Sequence, residues 1–146
     1  MKILVINGPN LNILGIRDKN LYGEKTLSEI NELLNKTAES LDIDLMHFQS
    51  NSEGEIIDFI QQHRSEAGGI IINPGALTHY SYSLNDALLD SKLPVIEVHL
   101  SNIYSREDWR AKSVIAPMVK GQISGFGWMG YVFALQFLAN DIKGAI

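Results

Sequence analysis

The sequence contains no cysteine, and this absence excludes several kinds of chemistry at once. Disulfide bonds, thiolate metal ligands and a cysteine nucleophile cannot occur. Positive charge is also scarce, because 12 Lys and Arg residues face 17 Asp and Glu residues and leave a net charge of -5. A nucleic-acid-binding surface usually carries a basic patch, so we predict no nucleic-acid partner. An anionic small molecule would need a local cluster of positive groups.

Long apolar runs are missing as well. No apolar stretch approaches the roughly 18 residues of a membrane-spanning helix, and the N-terminal residues lack the pattern of a signal peptide. We therefore expect a soluble, cytoplasmic protein with no membrane contact. A chain of 146 residues, 45% of them hydrophobic, suits one core. We predict a single domain over residues 1–146.

Short apolar runs alternate with segments of helical period along the whole chain. The runs predicted as strands cover residues 3–6, 44–48, 69–72, 94–98 and 122–124. The segments predicted as helices cover residues 26–41, 53–65, 81–91 and 131–142. Thr26 or Ser28 is the predicted N-cap of the first helix. The last helix is apolar almost all round, which indicates burial in the fold or against a partner chain.

This alternation is typical of a parallel sheet covered by helices. Five strands in a chain of this length predict an α/β fold, a flavodoxin-like doubly wound five-stranded parallel sheet with helices on both faces. Ligands bind such folds outside the carboxyl ends of the strands. The site should therefore be sought at that edge of the sheet.

Each of the first four strands is followed by a cluster of polar residues. The clusters are Asn7 to Tyr22, Gln49-Ser-Asn-Ser-Glu-Gly54, Asn73-Pro-Gly-Ala-Leu-Thr-His-Tyr-Ser81 and Glu97-Val-His-Leu-Ser-Asn102, the last followed by Arg106 and Arg110. Taken singly, these residues have ordinary explanations, such as a turn tyrosine, a solvated arginine or a core histidine. Taken together, they predict one crevice, because the carboxyl ends of parallel strands meet at one edge.

Two other motifs have weaker support. The glycines of Gly125-Phe-Gly-Trp-Met-Gly130 match a dinucleotide-binding pattern, but too little sequence follows for a strand with a ribose-binding acid. We interpret them as a tight turn and a close helix contact. A metal site built from the histidines and carboxylates of the clusters lacks ligand spacing such as HExxH, so we predict none.

Together, the clusters resemble the type II 3-dehydroquinate dehydratases. The matching motifs are Asn7-Gly-Pro-Asn-Leu, Arg17, Tyr22-Gly23, the three later clusters, Arg106-Glu-Asp-Trp-Arg110 and Gly121-Gln-Ile-Ser-Gly-Phe-Gly127. They occur in the family's order and spacing over essentially the whole chain. Lys19 stands where the family often has proline, which we expect to loosen the segment without removing a functional group.

The resemblance implies a flavodoxin-like catalytic domain that eliminates water from 3-dehydroquinate to give 3-dehydroshikimate. This is a step of the shikimate pathway to chorismate and the aromatic amino acids. The resemblance also implies that the enzyme needs no cofactor and assembles as a homododecamer of four trimers. The alternative function, from a different class, is a flavodoxin-like module that binds a nucleotide or small anion without catalysis.

The resemblance implies catalytic roles for five residues. Tyr22 is the base, Arg17 its activator and His99 the acid. Glu97 orients the His99 ring, and Asn10 holds a water that stabilises the enolate. A free phenol has a pKa of about 10, so a tyrosine base needs a nearby positive charge that favours the phenolate.

The resemblance also implies two groups of substrate contacts. The substrate carboxylate is bound by the backbone amides of Leu100 and Ser101, with Asn73 nearby. The substrate hydroxyls are bound by His79, Asp86 and Arg110. Arg106 is expected only as a neighbouring residue of the segment that covers the site or of an interface.

Overall fold

A computed structural model describes residues 1–146, and its regular elements are five strands and five helices joined by turns and 3₁₀ segments. The strands are β1 (Lys2–Asn7), β2 (Asp44–Gln49), β3 (Gly69–Asn73), β4 (Val95–His99) and β5 (Gly121–Ser124). The helices are α1 (Lys19–Tyr22), α2 (Leu27–Ser40), α3 (Glu53–His63), α4 (Tyr82–Ser91) and α5 (Met129–Ile142).

The strands form one sheet in the order β2-β1-β3-β4-β5, and every neighbouring pair is parallel. This confirms the predicted five-stranded parallel sheet. Strands β1 to β4 each extend one residue further at the carboxyl end than predicted, to Asn7, Gln49, Asn73 and His99. These residues continue the strands because main-chain hydrogen bonding does not depend on the polarity of the side chain. The polar side chains of the site therefore begin on the strands themselves.

Helices cover both faces of the sheet, as predicted. On one face, α2 and α5 pack against residues such as Val5, Ile71 and Val98. On the other face, α3 and α4 pack against residues such as Ile6 and Ile72. Neighbouring residues of one strand face opposite sides, so both sides of each central strand are buried. None of the helices is long and apolar enough to span a membrane.

The helix ends refine the predicted bounds. The hydroxyl of Thr26 accepts a hydrogen bond from the backbone N–H of Glu29 at 3.2 Å, so Thr26 rather than Ser28 caps α2. Ser81 is the N-cap of α4 instead of its first residue. Helix α3 stops at His63, and α5 begins two residues earlier than predicted. Helix α5 is buried along one side, but Phe133 and Phe137 remain exposed on the other.

The glycines at 125–130 make the turn between β5 and α5. A Cβ atom at Gly130 would lie 3.2 Å from Cγ1 of Val98, which is tighter than an ordinary van der Waals contact. Gly130 therefore permits the close approach of α5 to the sheet, and the predicted role in helix packing is confirmed.

Candidate active site

A cavity of about 120 Å³ opens at the carboxyl ends of β1, β3 and β4. Parallel sheets of this topology bind ligands at the same place. The lining includes nine of the predicted site residues: Asn10, Arg17, Tyr22, Asn73, His79, His99, Leu100, Ser101 and Arg110. The rest of the lining consists of Pro9, Leu11, Gly75, Ala76, Ile103 and Arg106. The structure therefore gathers residues that follow three of the strands, whereas the cluster after β2, which was expected in the same crevice, contributes none to the lining.

Two predicted residues do not line the cavity. Glu97 lies on β4 and is completely buried. Asp86 is exposed on α4, because Leu84, Ala87 and Leu88 form the side of this helix that packs inwards. The structure thus separates Asp86, for which the resemblance implied a substrate contact, from the cavity of its own chain.

The first half of the site is a phenol beside two guanidinium groups. Arg17 Nη2 donates a hydrogen bond to the Tyr22 hydroxyl oxygen at 3.1 Å, and its Cζ lies 4.0 Å from the centre of the tyrosine ring. Arg106 Cζ lies 5.2 Å from the same ring centre. Both Tyr22 and Arg17 are half-buried. A guanidinium is always protonated, so the structure places permanent positive charge where a phenolate would need it.

Tyr22 and Arg17 are brought together by the short helix α1, for which the sequence predicted no regular element. Asp18 caps the single turn of α1 by accepting a hydrogen bond from the N–H of Asn20 at 3.0 Å. Tyr22 is the last residue of this turn, and Gly23 follows with φ of 80°, a conformation that glycine adopts without strain. The turn brings Tyr22 back towards Arg17.

The second half of the site is an imidazole above a buried carboxylate. His99 is 5% exposed, and its Nε2 lies 3.2 Å from Oε1 of Glu97. The two atoms lack the alignment of a hydrogen bond, and Nε2 has no other hydrogen-bond partner. The contact is therefore an electrostatic one, and Glu97 can stabilise positive charge on the ring.

Glu97 is held by hydrogen bonds from three other parts of the chain. Its Oε1 accepts hydrogen bonds from the hydroxyl of Thr78 and, at 2.9 Å, from that of Ser113. Its Oε2 accepts one from the side-chain amide of Gln122 at 2.7 Å. Burial by itself raises the pKa of Glu97, but the contact with His99 and the hydrogen bonds of Thr78 and Gln122 outweigh it and hold this pKa below the ordinary value. Glu97 is therefore an anion at neutral pH.

The start of the loop after β4 offers two unused backbone donors. Leu100 and Ser101 are 3% and 7% exposed. Their carbonyl oxygens accept hydrogen bonds from the N–H of Gly127 at 3.0 Å and from the hydroxyl of Ser124 at 3.1 Å. Their own N–H groups donate to no group of the chain. Buried N–H groups without partners are costly, so these two donors are suited to an anionic ligand.

The far wall of the cavity contains His79 and Arg110. His79 Nδ1 lies 2.7 Å from the carbonyl oxygen of Lys112, and its ring meets Trp109 edge-on with 5.1 Å between ring centres. Arg110 lies 4.1 Å above the Trp109 ring and pairs with Glu107. Arg110 lies in a 3₁₀ turn, Asp108–Ala111, which begins two residues after Arg106. Both arginines reach the cavity.

The cluster after β2 supports the site without lining it. The side-chain oxygen of Asn51 accepts a hydrogen bond from the backbone N–H of Asn10 at 2.9 Å. Gln49 donates to this same oxygen and to the carbonyl oxygen of Gly8, both at 3.2 Å. Asn10 has φ of 70°, a conformation that asparagine tolerates better than most residues. Asn51 and Gln49 therefore hold Asn10 in an uncommon backbone conformation.

Gly8 lets the segments after β1 and β3 pack closely. Its N–H donates to the carbonyl oxygen of Asn73 at 2.8 Å. A Cβ atom at this position would overlap the carbonyl group of Pro74. Glycine is therefore required for the close approach that brings Asn10 and Asn73 into one cavity.

The charges around the cavity are all positive, although the chain is acidic overall. The lining includes three arginines and two histidines but no aspartate or glutamate. The cavity therefore offers the local cluster of positive groups that an anionic small molecule would need. No group of three or more His, Asp or Glu side chains is placed to hold a metal ion.

Sequence reasoning missed several residues of the site. Arg106 was expected only near the site, yet it lies beside Tyr22 and donates to the Ser101 hydroxyl at 3.1 Å. Thr78, Ser113 and Gln122 were given no role, because uncharged residues that bond a buried carboxylate leave no pattern of their own. Gln122 becomes recognisable only from the strand register of the structure, in which it pairs directly with Glu97.

Comparison with known proteins gives a consistent result. Residues 1–139 match the family model described as dehydroquinase class II. The chain is 56% identical over 138 residues to the 3-dehydroquinate dehydratase of Roseiflexus castenholzii. The aligned residues cover 94% of this chain and 88% of that protein. It is 56% identical over 144 residues to the 3-dehydroquinate dehydratase of Caldicellulosiruptor saccharolyticus, with 98% and 99% covered. The crystal structure of type II dehydroquinase from Butyrivibrio crossotus superposes with a TM-score of 0.92 at 49% identity, with 94% and 97% covered.

Proposed function

The chain belongs to the class II dehydroquinase family, and we propose that Tyr22, Arg17 and His99 carry out the reaction of that family. The chain acts as a hydro-lyase that eliminates water from 3-dehydroquinate to give 3-dehydroshikimate. This reaction is a step of the shikimate pathway to chorismate and the aromatic amino acids. The supporting observation is that two pairs of groups meet at one cavity. One is a phenol that accepts a hydrogen bond from a guanidinium, and the other is an imidazole in contact with a buried carboxylate.

The first step removes the proton next to the substrate ketone. Tyr22 takes it as a phenolate, and the adjacent guanidinium of Arg17 stabilises that phenolate. The electron pair of the broken C–H bond moves towards the ketone oxygen and forms an enolate. Asn10, at the edge of the cavity, holds a water molecule that donates a hydrogen bond to this oxygen.

The second step expels the hydroxyl group. The enolate returns its electrons, a carbon–carbon double bond forms and the C–O bond breaks. His99 donates a proton to the departing oxygen, so that water leaves. Glu97 stabilises the protonated ring of His99, and its contact with Nε2 restricts the orientation of that ring. These steps use side chains and water alone.

The substrate is held by the positive wall of the cavity. Its carboxylate accepts hydrogen bonds from the unused N–H groups of Leu100 and Ser101, with Asn73 beside them. His79 and Arg110 contact its hydroxyl groups. Asp86 is exposed on α4 and outside its own cavity, so it can contact the substrate only when a second chain brings it there.

We propose the homododecamer of four trimers as the assembled state. Phe126 and Phe133 pack edge to face with 5.8 Å between ring centres, and both are exposed, as is Phe137. These rings lie beside β5, an edge strand of the sheet. An exposed apolar patch next to an open sheet edge is typical of an interface. Sedimentation velocity tests this, since a monomer in dilute solution would contradict the assembly and the role of Asp86 together.

A cytoplasmic location is part of the same proposal, because the reaction belongs to a biosynthetic pathway. Cell fractionation with an antibody against the chain provides the test. Recovery in the membrane or secreted fraction would contradict it.

The mechanism is tested by following the ultraviolet absorbance of the conjugated enone after 3-dehydroquinate is added. The wild type should produce this signal, and Tyr22→Phe should lower kcat by about 10²- to 10⁴-fold, as expected for loss of a general base. Tyr82→Phe is the matched control, because Tyr82 is 65% exposed and lies outside the cavity.

Near-normal turnover in Tyr22→Phe would exclude Tyr22 as the base. A folded wild type that binds 3-dehydroquinate without producing the enone would favour the non-catalytic binding module. The two outcomes are distinct, since the first leaves the reaction intact and the second removes it.

A further inference from the structure

A buried phenol below the cavity has no role in the steps described above. Tyr131, on α5, is completely buried, and its hydroxyl lies between the side chains of Asn7 and Asn73. These two asparagines are the last residues of β1 and β3, and they are direct partners in the parallel ladder. Tyr131 thus joins two central strands at the edge of the sheet where the cavity opens.

The hydrogen bonds of these three side chains run in one direction. Asn73 Nδ2 donates to the Tyr131 oxygen at 3.0 Å, and the Tyr131 hydroxyl donates to Oδ1 of Asn7 at 2.5 Å. Asn73 Oδ1 in turn accepts from the N–H of Gly75 at 3.1 Å. The phenol has one proton, which it donates to Asn7. It can therefore only accept a hydrogen bond from Asn73. The amide of Asn73 is therefore held in one orientation, with a second N–H left over.

Packing alone does not require the hydroxyl. The ring lies among apolar residues of the core that α2 and α5 form against the sheet, where phenylalanine would fill nearly the same space. A buried hydroxyl carries a desolvation cost that only its hydrogen bonds offset. Burial raises the pKa of Tyr131 well above its ordinary value, so the hydroxyl keeps its proton and remains a donor to Asn7.

We propose that Tyr131 is a positioning residue, which fixes the side-chain amide of Asn73 so that its free N–H faces the substrate carboxylate. Asn73 lines the cavity and Tyr131 does not, so Tyr131 acts on the substrate only through Asn73. The inference rests on the proposed function, because the contact between Asn73 and the substrate belongs to it.

The first test is Tyr131→Phe, which removes only the hydroxyl. The substrate contact exists before and during the reaction, so its loss should raise KM by about 3- to 10-fold and leave kcat within about 2-fold. Ile60→Val is the control for simple loss of stability, because Ile60 is buried in the core on the opposite face of the sheet. It should lower the melting temperature and leave KM unchanged.

The second test is a double-mutant cycle with Asn73→Ala. If Tyr131 acts through Asn73, Tyr131→Phe should raise KM in the wild type and have no further effect once Asn73 is replaced. An equal rise in KM in both backgrounds would overturn the inference, and so would an unchanged KM in Tyr131→Phe. A wild type without turnover would instead refute the proposed function. An Asn73→Ala enzyme with the KM of an active wild type would refute both the contact between Asn73 and the substrate and the positioning role of Tyr131.

A third variant keeps the inference testable if Tyr131→Phe does not fold. Asn7→Ala removes the acceptor of the phenol proton and frees the hydroxyl to turn towards Asn73. It should also raise KM, and only while Asn73 is present. An Asn7→Ala enzyme with wild-type KM would overturn the inference.

Discussion

The two halves of the active site are built in different ways. We propose Tyr22 and Arg17 as the base half and His99 and Glu97 as the acid half. The base half lies in the segment between β1 and α2, and its two side chains are half-buried and share one hydrogen bond of 3.1 Å. The acid half lies on a central strand. Glu97 is completely buried and accepts hydrogen bonds from three other parts of the chain. The acid half is therefore fixed by the core, whereas the base half is fixed by local structure.

This difference has an energetic consequence. A group on a buried strand cannot change without disturbing its neighbours, because interiors are close-packed and most of their polar groups are hydrogen-bonded. A half-exposed pair can change while the core remains intact. We therefore expect variants of the acid half to lower both stability and turnover, and variants of the base half to lower turnover alone.

The largest combined effect is expected for Glu97→Gln. The amide keeps the shape of the carboxylate but removes its charge, and its NH₂ group would face the Gln122 amide or the hydroxyls of Thr78 and Ser113, all of which donate to Glu97. We expect kcat to fall by about 10²- to 10⁴-fold and the free energy of unfolding to fall by about 1–3 kcal/mol. Steady-state kinetics and urea titration measure the two losses.

Glu107→Gln is the matched control, because Glu107 is exposed and pairs only with Arg110. It should leave the free energy of unfolding close to that of the wild type, because exposed ion pairs contribute little to stability. If Glu97→Gln were as stable as this control, the acid half would not depend on its buried hydrogen bonds, and the contrast between the halves would disappear.

The next effect is expected for Arg17→Ala, which removes the charge beside Tyr22. The phenolate would lose its hydrogen-bond donor, so kcat should fall by about 10²- to 10³-fold. The melting temperature should stay within about 2 °C of the wild type, because Arg17 is half-exposed and belongs to neither core cluster. Steady-state kinetics measure the loss of kcat, and thermal unfolding measures the melting temperature.

Two outcomes would revise the assignment of Arg17. A rise in KM with an unchanged kcat would make Arg17 a substrate-binding residue instead of the activator of the base. A large drop in melting temperature would show that the base half is as strongly coupled to the core as the acid half.

A smaller effect is expected for Asn51→Ala. Asn51 lies outside the cavity, but its side-chain oxygen accepts the N–H of Asn10 and a hydrogen bond from Gln49. Without it, Asn10 should occupy its uncommon conformation less often, and kcat/KM should fall by about 3- to 10-fold. Ser52→Ala is a neighbouring control, since Ser52 caps α3 and does not contact Asn10. Equal values of kcat/KM in the two variants would show that Asn51 does not support the site by holding Asn10.

The fold could be predicted from the sequence because its signals are local. The apolar runs and helical periods located all five strands and α2 to α5, and only the ends of these elements moved. The short helix α1 was missed, because one turn held by Asp18 and Gly23 leaves no periodicity.

The site was predictable only in part, for a related reason. Charged and aromatic residues at the strand ends, such as Tyr22 and His99, stood out against the apolar strands. Thr78, Ser113 and Tyr131 did not, because their roles depend on hydrogen bonds between residues far apart in sequence. Asp86 is the opposite case, since the resemblance implied a substrate contact for it while its position on α4 separates it from the cavity of its own chain.

The smallest effect concerns the dependence of stability on pH. The pKa of Glu97 in the folded protein lies below its ordinary value of 4.5, so the folded state favours the carboxylate. The corresponding stabilisation is fully present above about pH 4.5, and it is lost as the pH falls through the lowered pKa of the folded state. Unfolding titrations of the wild type between pH 7 and pH 3 should therefore show a decline in stability that is less steep in Glu97→Gln.

The same titration compares the two halves of the site directly. Arg17→Ala keeps the buried carboxylate, so its stability should decline in parallel with that of the wild type. Glu66 and Glu107 also have a lowered pKa, because His63 and Arg110 bond to them, but they are unchanged in all three proteins and cancel from the comparison. The stability difference between the wild type and Glu97→Gln should thus shrink as the pH falls below 4.5. A constant difference would mean that hydrogen bonding to Glu97, and not its charge, distinguishes the acid half from the base half.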